Sequence, residues 1–394
     1  SDGGQIHFTE GTELNIVVES TGNALFGKWD EENTTNNQKD WIGNYWGGSP
    51  AYGVKLEGGQ GTFDGTVNID VKADGGRAVG VAVTDYFANT TSGPTWDDAA
   101  GSFKDLKITA DSKAGEAIGV DVNASDLEKN SVILKVSGNT DVTANSESGS
   151  VRGLQVSGKT SAEFGGDFIA SVTGGSGSGD IRGINVDGGA KVNLGQKGST
   201  VSVNLNSQAE DNESIAIGIR AAKQGVLNIN ADNVVVTGTS NGWIYGVNAQ
   251  NSTTTDKEDL ATLIINANKT VIDVSSTGQA SSGIVAMSQG NVEINGDLYV
   301  KADDVIVTRG FAQTSINKDK TYTVQLEGNV KFDFDENTSK TPVNATVDMN
   351  LTGAESYWKG NTLVSWNGNP TSSDLEVEHM TLNMEDGAQW TPSY

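Results

Sequence analysis

The sequence contains no cysteine, only two histidines and only five prolines in 394 residues. Without cysteine there is no disulfide, no thiol nucleophile and no cysteine-ligated zinc site. His7 and His379 are too few for a catalytic mechanism that depends on several histidines. No apolar run approaches the roughly 20 residues that a membrane-spanning helix needs. There is no signal peptide, and the abrupt start at Ser1 predicts a processed or excised fragment.

Basic residues are also scarce, with 26 lysines and arginines against 51 acids and a formal net charge of −25. This balance argues against nucleic acid and anionic membranes as partners. It could hold calcium weakly, but the sequence predicts no cofactor and no metal site. Hydrophobic residues make up only 35% of the chain, and glycine is frequent at 50 residues. A solenoid tolerates this composition, because it encloses a narrow core and exposes much of every coil.

A glycine-marked strand pattern recurs along the chain. Its copies read AVGVAV, AIGVDV, VRGLQV, IRGINV, AIGIRA, IYGVNA and SGIVAM. Their glycines lie about 30 to 40 residues apart, at Gly80, Gly119, Gly153, Gly183, Gly218, Gly246 and Gly283. Two more short segments lie between copies, and each alternates apolar and polar residues as a half-buried strand does. Each repeat therefore supplies three short strands.

Three strands per repeat, with corners between them and no helical periodicity, predict an all-β, right-handed parallel β-helix of roughly ten coils. We expect one inward apolar stack through Val120, Val122, Leu154, Val156, Ile184, Val186, Ile219 and Val247. A β-propeller is the alternative, but it needs about four strands per blade joined by hairpins. We divide the chain into an N-terminal cap and first coil with an aromatic insertion (1–52), repeated coils (53–346) and C-terminal coils (347–394).

Two aromatic insertions interrupt the repeat near its start, at residues 20–51 and 84–102. They contain the candidate binding residues Trp29, Trp41, Tyr45, Trp46, Tyr86 and Trp96. Both flank the glycine-marked strand, so we expect them to emerge close together. They predict a platform for a glycan or a protein, because loops on a rigid scaffold carry function. The alternative is a cap over the open edge of the first coil, and the sequence leaves both open.

The outward position of the glycine-marked strand gives a second candidate site. In successive coils it reads Asp121, Gln155, Asn185, Arg220 and Asn248. One acid in this column does not make the acid–base pair that polysaccharide cleavage requires, and Arg152 and Arg182 lack an aligned acid cluster. We therefore predict a polar outward ladder and no catalytic residue. Solvated or internally paired side chains are the alternative. Smaller polar insertions at 206–214, 250–260 and 311–321 are expected to be solvated loops.

Degenerate Gly-, Asn- and Val-rich coils cover residues 53–350, and the C-terminal runs read VDMNLTGAESYWKGNT and MTLNMEDGAQWTPS. With the absence of cysteine, these features resemble the passenger domains of monomeric autotransporters, the type V secretion adhesins of Gram-negative bacteria. The resemblance implies an extracellular position on the bacterial surface. It also implies that residues 347–394 lead toward a passenger stem and an outer-membrane translocator barrel. It carries over no catalytic residue.

We therefore expect a secreted cell-surface adhesin fragment involved in cell adhesion, biofilm formation or virulence. Its expected partner is a host glycan, a matrix or surface protein, or another copy of itself. Neither nucleic-acid binding nor direct membrane insertion is expected. A β-helix polysaccharide lyase or hydrolase and a structural spacer are the alternatives. The aromatic insertions favour an adhesin over a spacer, because a spacer has little need of them.

Overall fold

Short parallel strands make up most of the regular structure. A computed structural model of the chain describes residues 5–11, 13–20, 28–29, 41–42, 50–90, 93–125, 132–209, 214–251, 260–334, 345–366 and 379–393. Within these ranges there is no helix. Accordingly, this described portion holds no helix with the length and hydropathy needed to cross a membrane.

The strands follow one another at short intervals. The first sixteen are β1 (Gln5–Phe8), β2 (Glu13–Ser20), β3 (Lys28–Trp29), β4 (Trp41–Ile42), β5 (Ala51–Glu57), β6 (Gln60–Ala73), β7 (Ala78–Thr84), β8 (Tyr86–Thr90), β9 (Gly93–Asp97), β10 (Ala99–Ser112), β11 (Ala117–Asn123), β12 (Val132–Val136), β13 (Thr140–Ser146), β14 (Val151–Ser157), β15 (Thr160–Phe164) and β16 (Phe168–Gly174). The rest are β17 (Ile181–Asp187), β18 (Lys191–Leu194), β19 (Thr200–Ser207), β20 (Ile215–Ala222), β21 (Val226–Ser240), β22 (Trp243–Gln250), β23 (Ala261–Ser276), β24 (Ser281–Met287), β25 (Gly290–Arg309), β26 (Gln313–Ile316), β27 (Val324–Phe334), β28 (Thr346–Thr352), β29 (Tyr357–Lys359), β30 (Thr362–Trp366), β31 (His379–Glu385) and β32 (Gln389–Thr391).

Apart from the antiparallel pairs β3–β4 and β8–β9, these strands stack into three sheets, in which each strand pairs in parallel with its equivalents in the neighbouring coils. The glycine-marked sheet runs through β5, β7, β11, β14, β17, β20, β22, β24, the ends of β25 and β27, and β30. The second sheet runs from β1 through the starts of β6 and β10, then β12, β15 and β18, to β31. The third sheet runs from β2 through the ends of β6 and β10, then β13, β16 and β19, to β32. The prediction of an all-β parallel solenoid is confirmed.

The core is the narrow space between the three sheets. The predicted inward stack is fully buried: Val120, Val122, Leu154, Val156, Ile184, Val186, Ile219 and Val247 have no exposed surface. Alternation drives this, because every second residue of a strand points to the same face. Each such side chain stabilises the fold by about 1.5–3 kcal/mol relative to exposure. Near the N-terminal end, Phe63 and Phe103 fill the core as stacked rings whose centroids are 4.5 Å apart.

The marker glycines lie where the glycine-marked sheet approaches the third sheet most closely. A Cβ atom on Gly183 would lie 2.2 Å from Val203 Cγ1 and 2.5 Å from the carbonyl oxygen of Gly218 in the next coil. Gly53 in β5 occupies the same place, since its Cβ would lie 2.2 Å from Ile69 Cγ2. Gly53 is therefore a further copy of the marker, which the sequence pattern did not include.

The two aromatic insertions are attached to opposite ends of the glycine-marked strands. The first leads into the start of β5 and the second leaves the end of β7. These strands pair in parallel from Ala51 opposite Ala78 to Glu57 opposite Thr84, so the attachment points are about 20 Å apart. The expectation that both insertions emerge close together is wrong for the points where they join the glycine-marked sheet. The first insertion precedes β5, whereas the second follows β7.

The predicted polar loop at 311–321 also differs from expectation. It contains β26, which pairs with β25 and β28, and Ile316 and Asn317 are fully buried. Asn317 is buried because its side-chain amide donates to the carbonyl oxygens of Tyr322 and Asn350. The other predicted loops fall partly outside the described residues, at 210–213 and 252–259.

Candidate binding surfaces on the outer faces

The five residues of the predicted outward ladder are neighbours in successive coils of the glycine-marked sheet. Asp121 pairs with Gln155, Gln155 with Asn185, Asn185 with Arg220, and Arg220 with Asn248. They lie on the outer face, yet Asn185 and Asn248 have no exposed surface and the Asp121 side chain is only 14% exposed. The ladder is therefore a largely covered polar column and not an open surface.

Hydrogen bonds connect this column from coil to coil. Arg220 Nη1 donates to Asn185 Oδ1 and Arg220 Nε donates to Asn248 Oδ1, both at 3.3 Å. The Asn185 amide donates to Gln155 Oε1 at 3.0 Å and to Asp187 Oδ2 at 2.9 Å. Buried polar groups with such partners specify a register, because leaving one unpaired costs about 1–3 kcal/mol. These hydrogen bonds join Gln155, Asn185, Arg220 and Asn248 across four coils and favour one register of stacking.

All five arginines of the chain, Arg77, Arg152, Arg182, Arg220 and Arg309, lie in or directly before strands of this sheet. Glu116 binds two of them, with Arg77 Nε and Arg152 Nη1 each 2.9 Å from its carboxylate oxygens. Asp180 Oδ2 lies 2.5 Å from Arg182 Nη2. Arg152 and Arg182 are thus each paired with one acid, Glu116 and Asp180, which lie in different turns directly before the strands.

Burial shifts the pKa values of several groups in this network. Burial, followed by repulsion from the neighbouring Arg182 charge, lowers the pKa of Arg220 to about 10. Burial also lowers the pKa of Arg182. The pKa of Asp121 is raised because burial outweighs the attraction of Arg77 and Arg152. In all three groups the loss of hydration on burial disfavours the charged form more than neighbouring opposite charges favour it.

A second surface, which the sequence reading missed, lies on the outer face of the third sheet. Its central column runs in register through Val235, Val271, Tyr299, Gln325 and Tyr357. All five side chains are half-buried. The two tyrosines are two coils apart, a separation of about 9.6 Å. The sequence could have indicated this surface through strand alternation. Leu298, Val300 and Trp358 are buried, so Tyr299 and Tyr357, which are next to them in their strands, point outward.

Glu327 joins the two tyrosines. The Tyr357 hydroxyl donates to Oε1 at 2.9 Å, and the Tyr299 hydroxyl makes a longer contact of 3.4 Å to Oε2. Lys359 Nζ lies 3.2 Å from Oε1 and 4.2 Å from the centre of the Tyr357 ring. The Tyr357 hydrogen bond lowers the pKa of Glu327, and burial raises the pKa of Tyr299 and of Tyr357. At neutral pH the cluster holds one carboxylate and two neutral phenols.

A third feature is a groove of about 580 Å³ at the corner between the third sheet and the glycine-marked sheet. Charges of opposite sign alternate along it, as where Lys72 lies between Glu19 and Asp111. Lys113 Nζ lies 2.7 Å from Asp74 Oδ1, and this hydrogen bond raises the pKa of Lys113. The two lysines of the groove are thus already paired, Lys72 with Asp70 and Lys113 with Asp74.

The described residues include no group of three His, Asp or Glu side chains arranged to hold a metal ion. The insertion aromatics fall in two separate hairpins. Trp29 pairs with Trp41 across antiparallel β3 and β4. Tyr86 and Trp96 lie on antiparallel β8 and β9. Tyr45 and Trp46 lie outside the described residues, so the structure tests neither the platform nor the cap.

Neither a protein-family profile nor a curated protein sequence matches the chain. Among solved structures, the chain is similar to the crystal structure of a TibC-catalyzed, hyper-glycosylated TibA55-350 fragment. The identity is 10%, and the match covers 95% of this chain and 97% of that fragment with a TM-score of 0.17. A likeness at that TM-score bears on neither the fold nor the function of this chain.

Proposed function

We propose that this chain is an adhesin fragment from the passenger of a Gram-negative autotransporter, folded as a right-handed β-helix of about ten coils. The supporting observation is the solenoid itself, whose outer columns repeat polar and half-buried side chains from coil to coil. Many weak contacts along such columns add up to useful avidity when the ligand is also repetitive. The proposal includes a location on the bacterial surface, with no cofactor and no enzymatic activity.

The partner in this proposal is a host glycan, a matrix or surface protein, or a second copy of the chain. A glycan array and a panel of immobilised matrix proteins, both probed with the purified chain, test the first two. Sedimentation of the chain alone tests the third. We expect saturable binding in at least one of these assays. Monomeric behaviour together with no binding to any glycan or protein would contradict the adhesin function.

A further inference from the structure

The outer face of the third sheet combines a half-buried, mainly apolar column with polar and charged side chains on both sides of it. The tyrosine strip is defined here as the central column Val235, Val271, Tyr299, Gln325 and Tyr357 with the outward residues on either side of it. Aliphatic and aromatic side chains occupy most of the central column, whereas hydroxyl, amide and charged side chains flank it. The flanking residues are Asn233, Lys269, Asp297 and Thr323 on one side and Thr237, Asp273, Lys301, Glu327 and Lys359 on the other.

This arrangement matches the two kinds of surface on a sugar chain. Pyranose rings present apolar C–H faces, which pack against aromatic and aliphatic groups, and their hydroxyls hydrogen-bond at the edges. Between Tyr299 and Tyr357 lies Gln325, whose amide donates to the carbonyl oxygen of Glu355 at 3.0 Å. A cavity of about 190 Å³ opens beside Tyr299 and Gln325. The strip therefore offers both packing faces and hydrogen-bonding edges.

The spacing along the strip also fits a polymer. Each coil adds about 4.8 Å, which is close to the length of one extended pyranose unit. The five coils from Val235 to Tyr357 therefore span about 19 Å along the axis. Successive sugars of an extended chain would meet the same strand position in each coil, so that several weak contacts add along the rod.

The charges of the strip point to an uncharged ligand. Lys269 and Lys301 offset Asp273 and Asp297 in their own coils, and Lys359 offsets Glu327 of the preceding coil, although the whole chain carries −25. Glu327 is already bound by Tyr357 and Lys359, while its second oxygen makes only the 3.4 Å contact with Tyr299. That oxygen retains capacity to accept a hydroxyl. A second copy of this highly acidic chain fits less well, because the remaining charges repel.

From this geometry we infer that the tyrosine strip binds an extended, uncharged polysaccharide along the rod axis, with Tyr299 and Tyr357 as stacking residues. The inference rests on the proposed adhesin function and names its ligand class. Because the ligand is uncharged, its affinity should change little between low and high salt.

The test uses cellohexaose and chitohexaose as neutral probes and a hexamer of galacturonic acid as the anionic probe, titrated into the whole chain by calorimetry. We expect saturable binding of at least one neutral hexamer and no binding of the anionic one. Replacing Tyr299→Ala and Tyr357→Ala together should weaken that binding by about tenfold or more, since each aromatic contact contributes about 0.5–1.5 kcal/mol. Replacing both with Phe should preserve affinity within about threefold, because the ring faces remain.

Tyr52→Ala is the matched control, because Tyr52 is a half-buried tyrosine with Lys55 Nζ 5.3 Å from its ring centre on a different sheet. It should leave glycan affinity unchanged. The stacking role would be overturned if the double Ala variant bound as tightly as the natural chain. It would also be overturned if the double Phe variant lost as much affinity as the double Ala variant. Absence of any neutral-glycan binding would overturn the inference. In that case, binding in the matrix-protein panel or self-association in sedimentation would still support the adhesin function. Failure of all these assays would contradict both the adhesin function and the polysaccharide-binding strip.

Discussion

At the scale of single residues, the marker glycine is a packing requirement. It brings the glycine-marked sheet against a side chain of the third sheet, branched at every marker except Gly153, which faces Ala170, and against the next coil's backbone. At Gly119, a Cβ would lie 2.1 Å from Val142 Cγ1 and 2.6 Å from the oxygen of Gly153. No rotamer change removes the backbone contact. Any side chain at these positions therefore forces two sheets apart.

We predict that Gly183→Ala destabilises the solenoid by about 1–3 kcal/mol, the usual cost of overpacking a tight core. The measurement is the thermal midpoint followed by far-ultraviolet circular dichroism. Gly179→Ala is the control, because within the described part of the chain its added Cβ would lie close only to the movable Ser150 hydroxyl, at 3.1 Å. An unchanged midpoint for Gly183→Ala would show that the sheets can separate without cost.

A second residue-scale prediction concerns Asp121. Its folded-state pKa is raised above 3.8 by burial, so the folded protein binds this proton more tightly than the unfolded chain. Protonation therefore stabilises the fold as pH falls through the folded pKa, and the ionised form carries a cost at neutral pH. Asp121→Asn should leave the midpoint at pH 7 equal or higher, and its advantage over the natural chain should shrink on acidification.

Asp180→Asn is the contrasting variant, since it removes the carboxylate 2.5 Å from Arg182, whose side chain is only 16% exposed. Leaving that guanidinium without its acid should cost about 1–2 kcal/mol at pH 7. Thermal unfolding between pH 7 and pH 4 separates the two cases. A lower midpoint for Asp121→Asn at pH 7 would mean that attraction to Arg77 outweighs burial.

At the scale of elements, the strands were predictable and their surroundings were not. Alternation placed Val120 and Leu154 in the core, because a period of two follows from backbone geometry alone. The same alternation assigned Asn185 and Asn248 to the outside, but burial of an outer face depends on chain segments distant in sequence. Tyr299 and Tyr357 were missed for a related reason. Their shared column appears only when the register of β25, β27 and β29 is known.

The hairpin elements carry the next prediction. Trp41 pairs with Trp29 in a two-residue antiparallel ladder that is separate from the solenoid sheets. Replacing Trp41 and Trp46 with Ala should therefore weaken attachment in the protein and glycan panels while the far-ultraviolet spectrum stays unchanged. Tyr52→Ala, on the solenoid itself, serves as the comparison. Loss of the strand spectrum in the tryptophan variant would instead support the cap, because an uncovered first coil exposes its edge and core.

At the scale of the whole molecule, charge is distributed unevenly. The five arginines lie in or directly before strands of one sheet, and acids in the turns before those strands pair with Arg77, Arg152 and Arg182. The net charge of −25 must therefore come from the other faces and from the loops. Two such rods approaching side by side repel over a distance set by the Debye length, about 8 Å at physiological ionic strength.

This repulsion fixes the sign of the salt dependence of self-association. If copies of the chain pair along their length, dimerisation should increase with sodium chloride, because screening weakens repulsion while hydrophobic and hydrogen-bonded contacts persist. Calcium should act at lower concentration than sodium, since a divalent ion neutralises carboxylates more effectively. Sedimentation velocity at several salt and calcium concentrations measures both effects, with magnesium as a control for divalent charge. A monomer at every concentration would exclude self-association, and dimers that dissociate as salt rises would mean that the contacts are ion pairs between opposite charges.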